Sequence, residues 1–238
     1  MSAAASTLSG AKMKQEIIDY YDRLAPAYDA SRFANNYGRF IDTRERALLT
    51  AWLPPKATRV LELGCGTGRL SGFATIATDA STASLAIAST REPGTCFAAA
   101  DAERLPLPTA TFDAVFAFHL LMHLEESAIQ AIFAEAARVL RPGGVLIADI
   151  VSKTRRNMTG ERRNVEHAWH GATALTKREF ETMGHAVGLE RRHITGLMLL
   201  PVHRFPERSR AGLTRIDGWL ADSVPSLSSY LVACFTKP

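Results

Sequence analysis

The sequence predicts an α/β fold: a doubly wound, mostly parallel seven-stranded sheet with helices on both faces and a helical lid at the N-terminus. Three observations lead there. Short apolar or β-branched runs alternate with helical patterns, the order that builds a parallel sheet with helices packed on it. The first run, "RVLELG", leads into glycines at 64, 66 and 68, the kind of turn in which backbone can approach a ligand closely. Ahead of it "KQEIIDYYDRLAPAYDA" places Ile17, Tyr20, Tyr21 and Leu24 at helical spacing before Pro26, so a short amphipathic helix precedes the sheet and is placed to cap the open edge of a site.

Strands are expected at 59–64, 75–79, 96–101, 112–118 and 144–150, with two more at 190–198 and 229–236. Only eleven residues separate Gly68 from Asp79. The first crossover helix is therefore expected to be barely two turns long, ending near Gly72, close to the minimum for a parallel connection. From Ser127 to Gly144 the chain offers an N-cap serine, a helical face of Ile129, Ile132, Phe133, Ala136, Val139 and Leu140, and a Pro-Gly-Gly stop. Thr176 and Glu179 form a potential capping box, and Gly188 ends that helix. In "HRFPERSRAGLTRIDGWL" the pattern predicts an amphipathic helix with arginines in water and Leu213, Ile216, Trp219 and Leu220 inward.

At 238 residues and 47% hydrophobic the chain can bury a core of its own, and one domain is expected over 1–238: a lid (1–50), a central segment (51–150) and further elements (151–238). No apolar run approaches the roughly 20 residues of a membrane span, and "MSAAASTLSGAKMK" lacks the apolar core of a signal peptide. A cytoplasmic location and no membrane partner are expected. Cys65, Cys96 and Cys234 show no CxxC spacing, which argues against both a disulfide framework and a zinc site. The net charge of +4 and pI near 9.1 are mild for a nucleic-acid binder. The positive charge gathers in "KTRRNMTGERR" (153–163), with five basic residues, and "RFPERSRAGLTR" (204–215), with four.

The glycine loop fits two nucleotide sites poorly. A P-loop needs a lysine after its last glycine, and none follows. The dinucleotide fingerprint GxGxxG fails because Arg69 stands at its sixth position. Asp79, ending the second strand, suits the two hydroxyls of a ribose, so a ribose without a pyrophosphate is implied.

"VLELGCGTG", "ATDAS", "DAERLPLPTATFDAVFA" and "ARVLRPGGVLIADI", in this order and spacing, resemble the class I S-adenosylmethionine-dependent methyltransferases over about Tyr20 to Ile150. The resemblance implies a Rossmann-like methyltransferase fold whose last strand pairs antiparallel. It also implies S-adenosyl-L-methionine as cofactor and S-adenosyl-L-homocysteine as product. Glu62, Gly64, Gly66 and Gly68 match the motif around the methionine part of the cofactor. Asp79 matches the ribose acid, and Ala80 the neighbour lying on the adenine. Asp101 and Ala102 match the pair reading the adenine edge, and Phe118 the place where main chain meets the methionine amino group. "YYDRLAPAYD" resembles the family's lid signature, which brings Tyr20 and Tyr28 over the cofactor.

The expected function is methyl transfer to a small-molecule acceptor, by alignment for in-line attack without a metal. His119 and His123 are the candidate general bases; as metal ligands they lack a carboxylate or cysteine completing a set in the sequence. The cluster at 153–163, with Arg155, Arg156, Arg162 and Arg163, follows the fifth strand at the ligand-binding edge, where it would favour an anionic acceptor or remain a solvated loop. A nucleic-acid partner is not expected, because no RNA-binding module and no aromatic-interleaved basic stripe is present. Two alternatives remain: a tRNA or rRNA methyltransferase, and a non-catalytic module that binds the cofactor.

Overall fold

The computed structural model describes residues 2–160 and 169–238, with side chains from residue 12 onward. Three helices come first: α1 (Ser2–Leu24), α2 (Tyr28–Arg32) and α3 (Asn36–Trp52). The first, expected to be short, runs 23 residues before Pro26 ends it in a single 3-10 turn, Ala25–Ala27. Strands β1 (Val60–Leu63), β2 (Ile76–Asp79), β3 (Cys96–Ala99), β4 (Phe112–Ala117) and β5 (Leu140–Ser152) follow, with α4 (Thr82–Arg91) between β2 and β3 and α5 (Glu126–Val139) between β4 and β5. The remaining elements are α6 (Lys153–Thr159), β6 (Ala174–Leu175), α7 (Lys177–Ala186), β7 (Glu190–Leu197), α8 (Glu207–Ser223) and β8 (Tyr230–Thr236).

The sheet runs β3-β2-β1-β4-β5-β8-β7, and the two-residue β6 pairs with β5 off this path. All pairs are parallel except those of β8, which is antiparallel to both β5 and β7. Strand order thus reverses between β1 and β4, and at such a reversal the loops leaving the two strands diverge and open a crevice.

Period-two alternation divides each central strand between two cores. Leu61, Leu63, Val115, Ala117, Leu146 and Ala148 face α5 and α7, where Phe133, Phe180 and Phe235 meet edge to face at 5.6 to 5.9 Å between ring centres. Val60, Ala114, Phe116, Val145 and Ile147 face Ile41 and Leu49 of α3. Two acids stand in this second series, Glu62 on β1 and Asp149 on β5, both buried. Burial there is costly unless a partner is present.

Four local expectations are corrected. The first crossover is one 3-10 turn, Ser71–Phe73, rather than a two-turn helix, because β2 takes up the last four of the eleven residues. Helix α5 begins two residues earlier than Ser127 implied: Glu125 is its N-cap without a side-chain bond, and Glu126 opens its first turn, where a negative charge suits the helix dipole. The same helix stops at Val139, and "RPGG" belongs to β5, because Leu140 already pairs with Phe112 across an irregular register. In α8, Leu213 and Leu220 are half-buried but Ile216 and Trp219 face outward. The Thr176–Glu179 capping box does form.

Candidate functional site

Beyond the carboxyl ends of β1 to β4, under α1, lies a cleft enclosing ≈ 940 Å³ of empty space, part of it open to solvent. The loop 64–68 forms one wall. Its three glycines have φ of +66°, +53° and +81°, the left-handed region that a side chain adopts only with strain, yet their surroundings differ. A Cβ on Gly68 would lie 2.9 Å from Cα of Ala88, so this glycine lets α4 pack against the loop. A Cβ on Gly64 would touch Leu120 at 3.0 Å. At Gly66 nothing stands within 4 Å. The open space over Gly66 is where a ligand can lie against main chain.

Asp79 closes the loop onto β2. Its Oδ2 accepts the Gly66 N–H at 2.7 Å and its Oδ1 the Ser81 N–H at 2.8 Å, and Cys65 N–H bonds Thr78 O at 3.0 Å. Burial pushes its carboxyl pKa up, against the backbone N–H bonds that pull it down. Ala80, Asp101, Ala102 and Phe118 continue the wall. Asp101 is exposed and forms an ion pair with Lys14 of α1, which also holds Glu103. Asp22 of α1 accepts bonds from the Ser81 hydroxyl and Ala83 N–H at the start of α4, and Asp29 of α2 meets Arg91 and the Thr67 hydroxyl. The N-terminal helices are thus latched across the cleft by several weak pairs.

Of the tyrosines, Tyr28 lines the cleft, but Tyr20 does not: it packs on Trp169 at 5.2 Å and His170 at 6.0 Å. Tyr21 takes the lid position, with its hydroxyl 3.0 Å from His123 Nε2. The helical series Lys14, Ile17, Ile18, Tyr21 on the cleft wall was available as a sequence signal for it. Glu62 also lies off the cleft, buried, accepting the Ser71 hydroxyl at 2.5 Å; burial pushes its pKa up to about 8. Gly68 too is turned away, toward α4.

His119 and His123 both line the cleft, in different states. His123 Nδ1 accepts the Gly171 N–H at 3.1 Å, which places the ring proton on Nε2, donating to Tyr21. Burial holds its pKa well below the ordinary value, so the ring is neutral. His119 sits at φ +57°, its own N–H bonded to Asp149 Oδ1 at 2.7 Å. Its Nε2 lies 2.6 Å from Glu45 Oε1 and its Nδ1 3.5 Å from Asp149 Oδ2. The Nε2 contact is off the N–H axis, an ion pair rather than a linear hydrogen bond. Burial disfavours charge on His119, but the two facing carboxylates outweigh it and raise its pKa; Asp149, fully buried, is pushed up to about 6.

Two carboxylates therefore do reach His119, from α3 and β5, although the sequence offered none nearby; the three ligand atoms lie within 4.8 Å of one another. A cation at this set would have to compete with one already present. Arg69 bonds the other oxygen of Glu45 at 2.5 Å and Asp42 at 2.8 Å, so the set already has a cation of the protein's own. Glu45 carried no sequence signal, because it meets His119 only when α3 packs on the sheet.

The basic segment after β5 is engaged elsewhere. Arg155 donates to Leu199 O and Leu227 O, Arg156 to Gly171 O and Ala172 O, and Lys153 pairs with Glu179. Arg162 and Arg163 lie outside the described residues.

Residues 61–148 match the family model described as a methyltransferase domain. Among curated relatives, malonyl-[acyl-carrier protein] O-methyltransferase of Marinomonas sp. is 34% identical over 168 residues, 65% of this chain and 58% of the relative. Demethylmenaquinone methyltransferase of Renibacterium salmoninarum is 32% identical over 142 residues, 57% of this chain and 59% of the relative. The chain thus spans a little under three-fifths of the length of these relatives. Among solved structures, a methyltransferase of Thermotoga maritima titled a possible histamine N-methyltransferase has a TM-score of 0.69 at 20% identity, covering 92% of this chain and 98% of that one. The [4+2]-cyclase SpnF has the same score and identity, covering 94% and 96%. Residues 61–148 thus carry a methyltransferase domain, in keeping with the resemblance of the motifs, on the Rossmann-like fold expected for it.

Proposed function

We propose that this protein is an enzyme transferring the methyl group of S-adenosylmethionine to a small-molecule acceptor, within one domain made of a lid (1–50), a cofactor-binding core (51–150) and acceptor-side elements (151–238). The observation carrying this reading is the open space over Gly66, beside an Asp79 carboxylate fixed by two backbone N–H groups. That cradle fits a ribose next to an extended chain. The cofactor supplies a methyl group made electrophilic by its sulfonium. The protein's part is then to orient the acceptor and exclude water.

Gly64 and Gly66 offer main chain to the methionine part, Asp79 its carboxylate to the ribose, and Ala80, Asp101 and Ala102 the adenine side. Asp101 must share its carboxylate with Lys14. Phe118 stands at the methionine end, with Tyr28 and Tyr21 as the covering residues. Glu62 supports the loop from behind through Ser71.

In this arrangement neither histidine has a free nitrogen for the acceptor's proton. Both nitrogens of His123 are bonded, and His119 faces a carboxylate on each side. The geometry favours alignment of an acceptor that is already nucleophilic. His123 directs Tyr21: since Nε2–H donates to the phenol oxygen, the phenol proton is free to point into the cleft. The hydrogen bonds of Arg155 and Arg156 to backbone carbonyls support a small acceptor over an RNA backbone. They also leave the case for an anionic acceptor to Arg162 and Arg163.

Likeness to a cyclase at the level of fold keeps cofactor binding and methyl transfer separate questions. Calorimetry with S-adenosylhomocysteine addresses the first, and labelled S-adenosylmethionine with a metabolite pool, read by mass spectrometry, the second. Binding without any labelled product would reduce the reading to a cofactor-binding module. No binding, with NADH or ATP bound instead, would remove it.

A further inference from the structure

Five large apolar side chains stand exposed among the described residues, and all belong to the C-terminal elements: Met158 on α6, Phe205 before α8, Ile216 and Trp219 on α8, and Val224 at its end. Ile216 is 51% exposed and Trp219 70%. Both α6 and α8 pack against the turn Pro225–Leu227.

This exposure is fixed by how α8 is anchored. Asp217 is fully buried and accepts the Leu199 and Leu200 N–H groups at 2.9 and 2.7 Å. Next to it Gly218 admits the Arg44 guanidinium so closely that a Cβ there would lie 3.2 Å from it, and Ala221 is buried one turn on. At about 100° per residue, Ile216 and Trp219 lie about 150° around the helix from the centre of this anchored face. Rotating them inward would expose Asp217 and break its two bonds. Burying a tryptophan would favour such a rotation, but the anchors oppose it, so the outward face is a built feature and calls for a partner.

The charges around it select one. Arg204, Arg208 and Arg215 are exposed and Arg210 half-buried, against Glu207 and Asp222, and Asp222 already accepts the Thr195 hydroxyl. A two-fold contact between copies would set arginine against arginine. The face is also a convex helix surface, with tryptophan, isoleucine and phenylalanine flanked by guanidinium groups. That combination suits the interface of an anionic bilayer, where the rings enter the headgroup boundary and the arginines meet phosphates.

We propose that the outer face of α8, with Phe205 and Val224 at its ends, is a peripheral docking surface for an anionic lipid membrane. This departs from the sequence-based expectation of no membrane partner, and needs no spanning helix, of which there is none among the described residues. It stands independently of the methyl-transfer reading. Arg44 of α3 touches α8 while the next residue, Glu45, meets His119, so the docked helix would lie one helix away from the cleft.

The test is co-sedimentation of the full chain with phosphatidylcholine vesicles, with and without one-third phosphatidylglycerol, together with quenching of tryptophan emission by brominated lipid. Binding is expected only to the anionic vesicles. It should weaken about fivefold for each of Arg208→Ser and Arg215→Ser, and at least about tenfold in Trp219→Ser/Ile216→Ser, with quenching lost in the latter and affinity for S-adenosylhomocysteine unchanged. No binding, equal binding to both vesicles, or binding unaffected by these substitutions would overturn the proposal. So would a dimer, seen by light scattering without lipid, that Trp219→Ser abolishes.

Discussion

Replacing Gly66 and Gly68 separately by alanine distinguishes a ligand-facing glycine from a packing one in the same loop. Both have positive φ, at +53° and +81°, so each alanine carries left-handed strain of about 1 to 2 kcal/mol. At Gly66 the new methyl meets no protein atom within 4 Å, so strain is the whole stability cost, and melting should fall by about 2 to 4 °C per kcal/mol for a domain of this size. At Gly68 the methyl lies 2.9 Å from Cα of Ala88, and backbone cannot yield as a side-chain end does. Overpacking adds about 1 to 3 kcal/mol, making about 2 to 5 in all. Binding should show the reverse order. A methyl over Gly66 enters the space assigned to the cofactor and should weaken S-adenosylhomocysteine binding about five- to 150-fold, the equivalent of about 1 to 3 kcal/mol of overlap. Gly68→Ala, below its melting temperature, should bind within about threefold of wild type, since its methyl points to α4. Differential scanning fluorimetry and calorimetry on the two proteins are sufficient. If Gly66→Ala binds as wild type does, the cofactor does not lie over this loop; if Gly68→Ala is the milder change in stability, the packing argument is wrong.

Asp79→Ala should weaken cofactor binding by about 1.5 to 3 kcal/mol in a protein that still folds, the scale of lost charge-assisted bonds; unchanged calorimetric affinity would show that Asp79 does not hold the ribose. The pKa of His119 is raised in the fold by Glu45 and Asp149, so its ion pairing stabilises fully below the unfolded value and is lost as pH rises through the folded one. Asp149, raised to about 6, binds more protons folded than unfolded below that pH, and its contribution also falls as pH rises. His123, held well below its ordinary value, acts in the opposite sense at mildly acidic pH, so the effect is read as a difference: wild type should lose melting temperature relative to His119→Asn, which tolerates positive φ, as pH rises from mildly acidic to alkaline, and a pH-independent difference would refute the ion pairing. Once an acceptor is known, Tyr21→Phe should raise its KM or lower kcat while cofactor affinity stays within about twofold, and His123→Gln should act in the same direction, whereas loss of cofactor binding in either would make Tyr21 a cofactor residue.

The chain's own pattern determined seven of the eight strands, the glycine loop, the aspartates at the end of β2 and after β3 and the Thr176–Glu179 cap, because each rests on residues within a few positions of one another; the two-residue β6 carried no such pattern. Helix periodicity, conformationally demanding glycines and caps are local physics. What depends on distant partners stayed out of reach. Tyr20 and Tyr21 are neighbours in an apolar helical pattern, and only the tertiary packing puts the first against Trp169 and His170 and the second over the cleft beside His123. Glu45, 74 positions before His119, becomes its counter-ion because the sheet alternates its faces and α3 lies on the one that carries Asp149. Helix α8 shows the same limit most plainly: its periodicity predicted Ile216 and Trp219 inside, but the bonds of Asp217 to Leu199 and Leu200 and the approach of Arg44 to Gly218 turned them out. A hydrophobic pattern states which face would gain by burial. Which face is buried depends on the polar groups that the rest of the fold must satisfy at the same time.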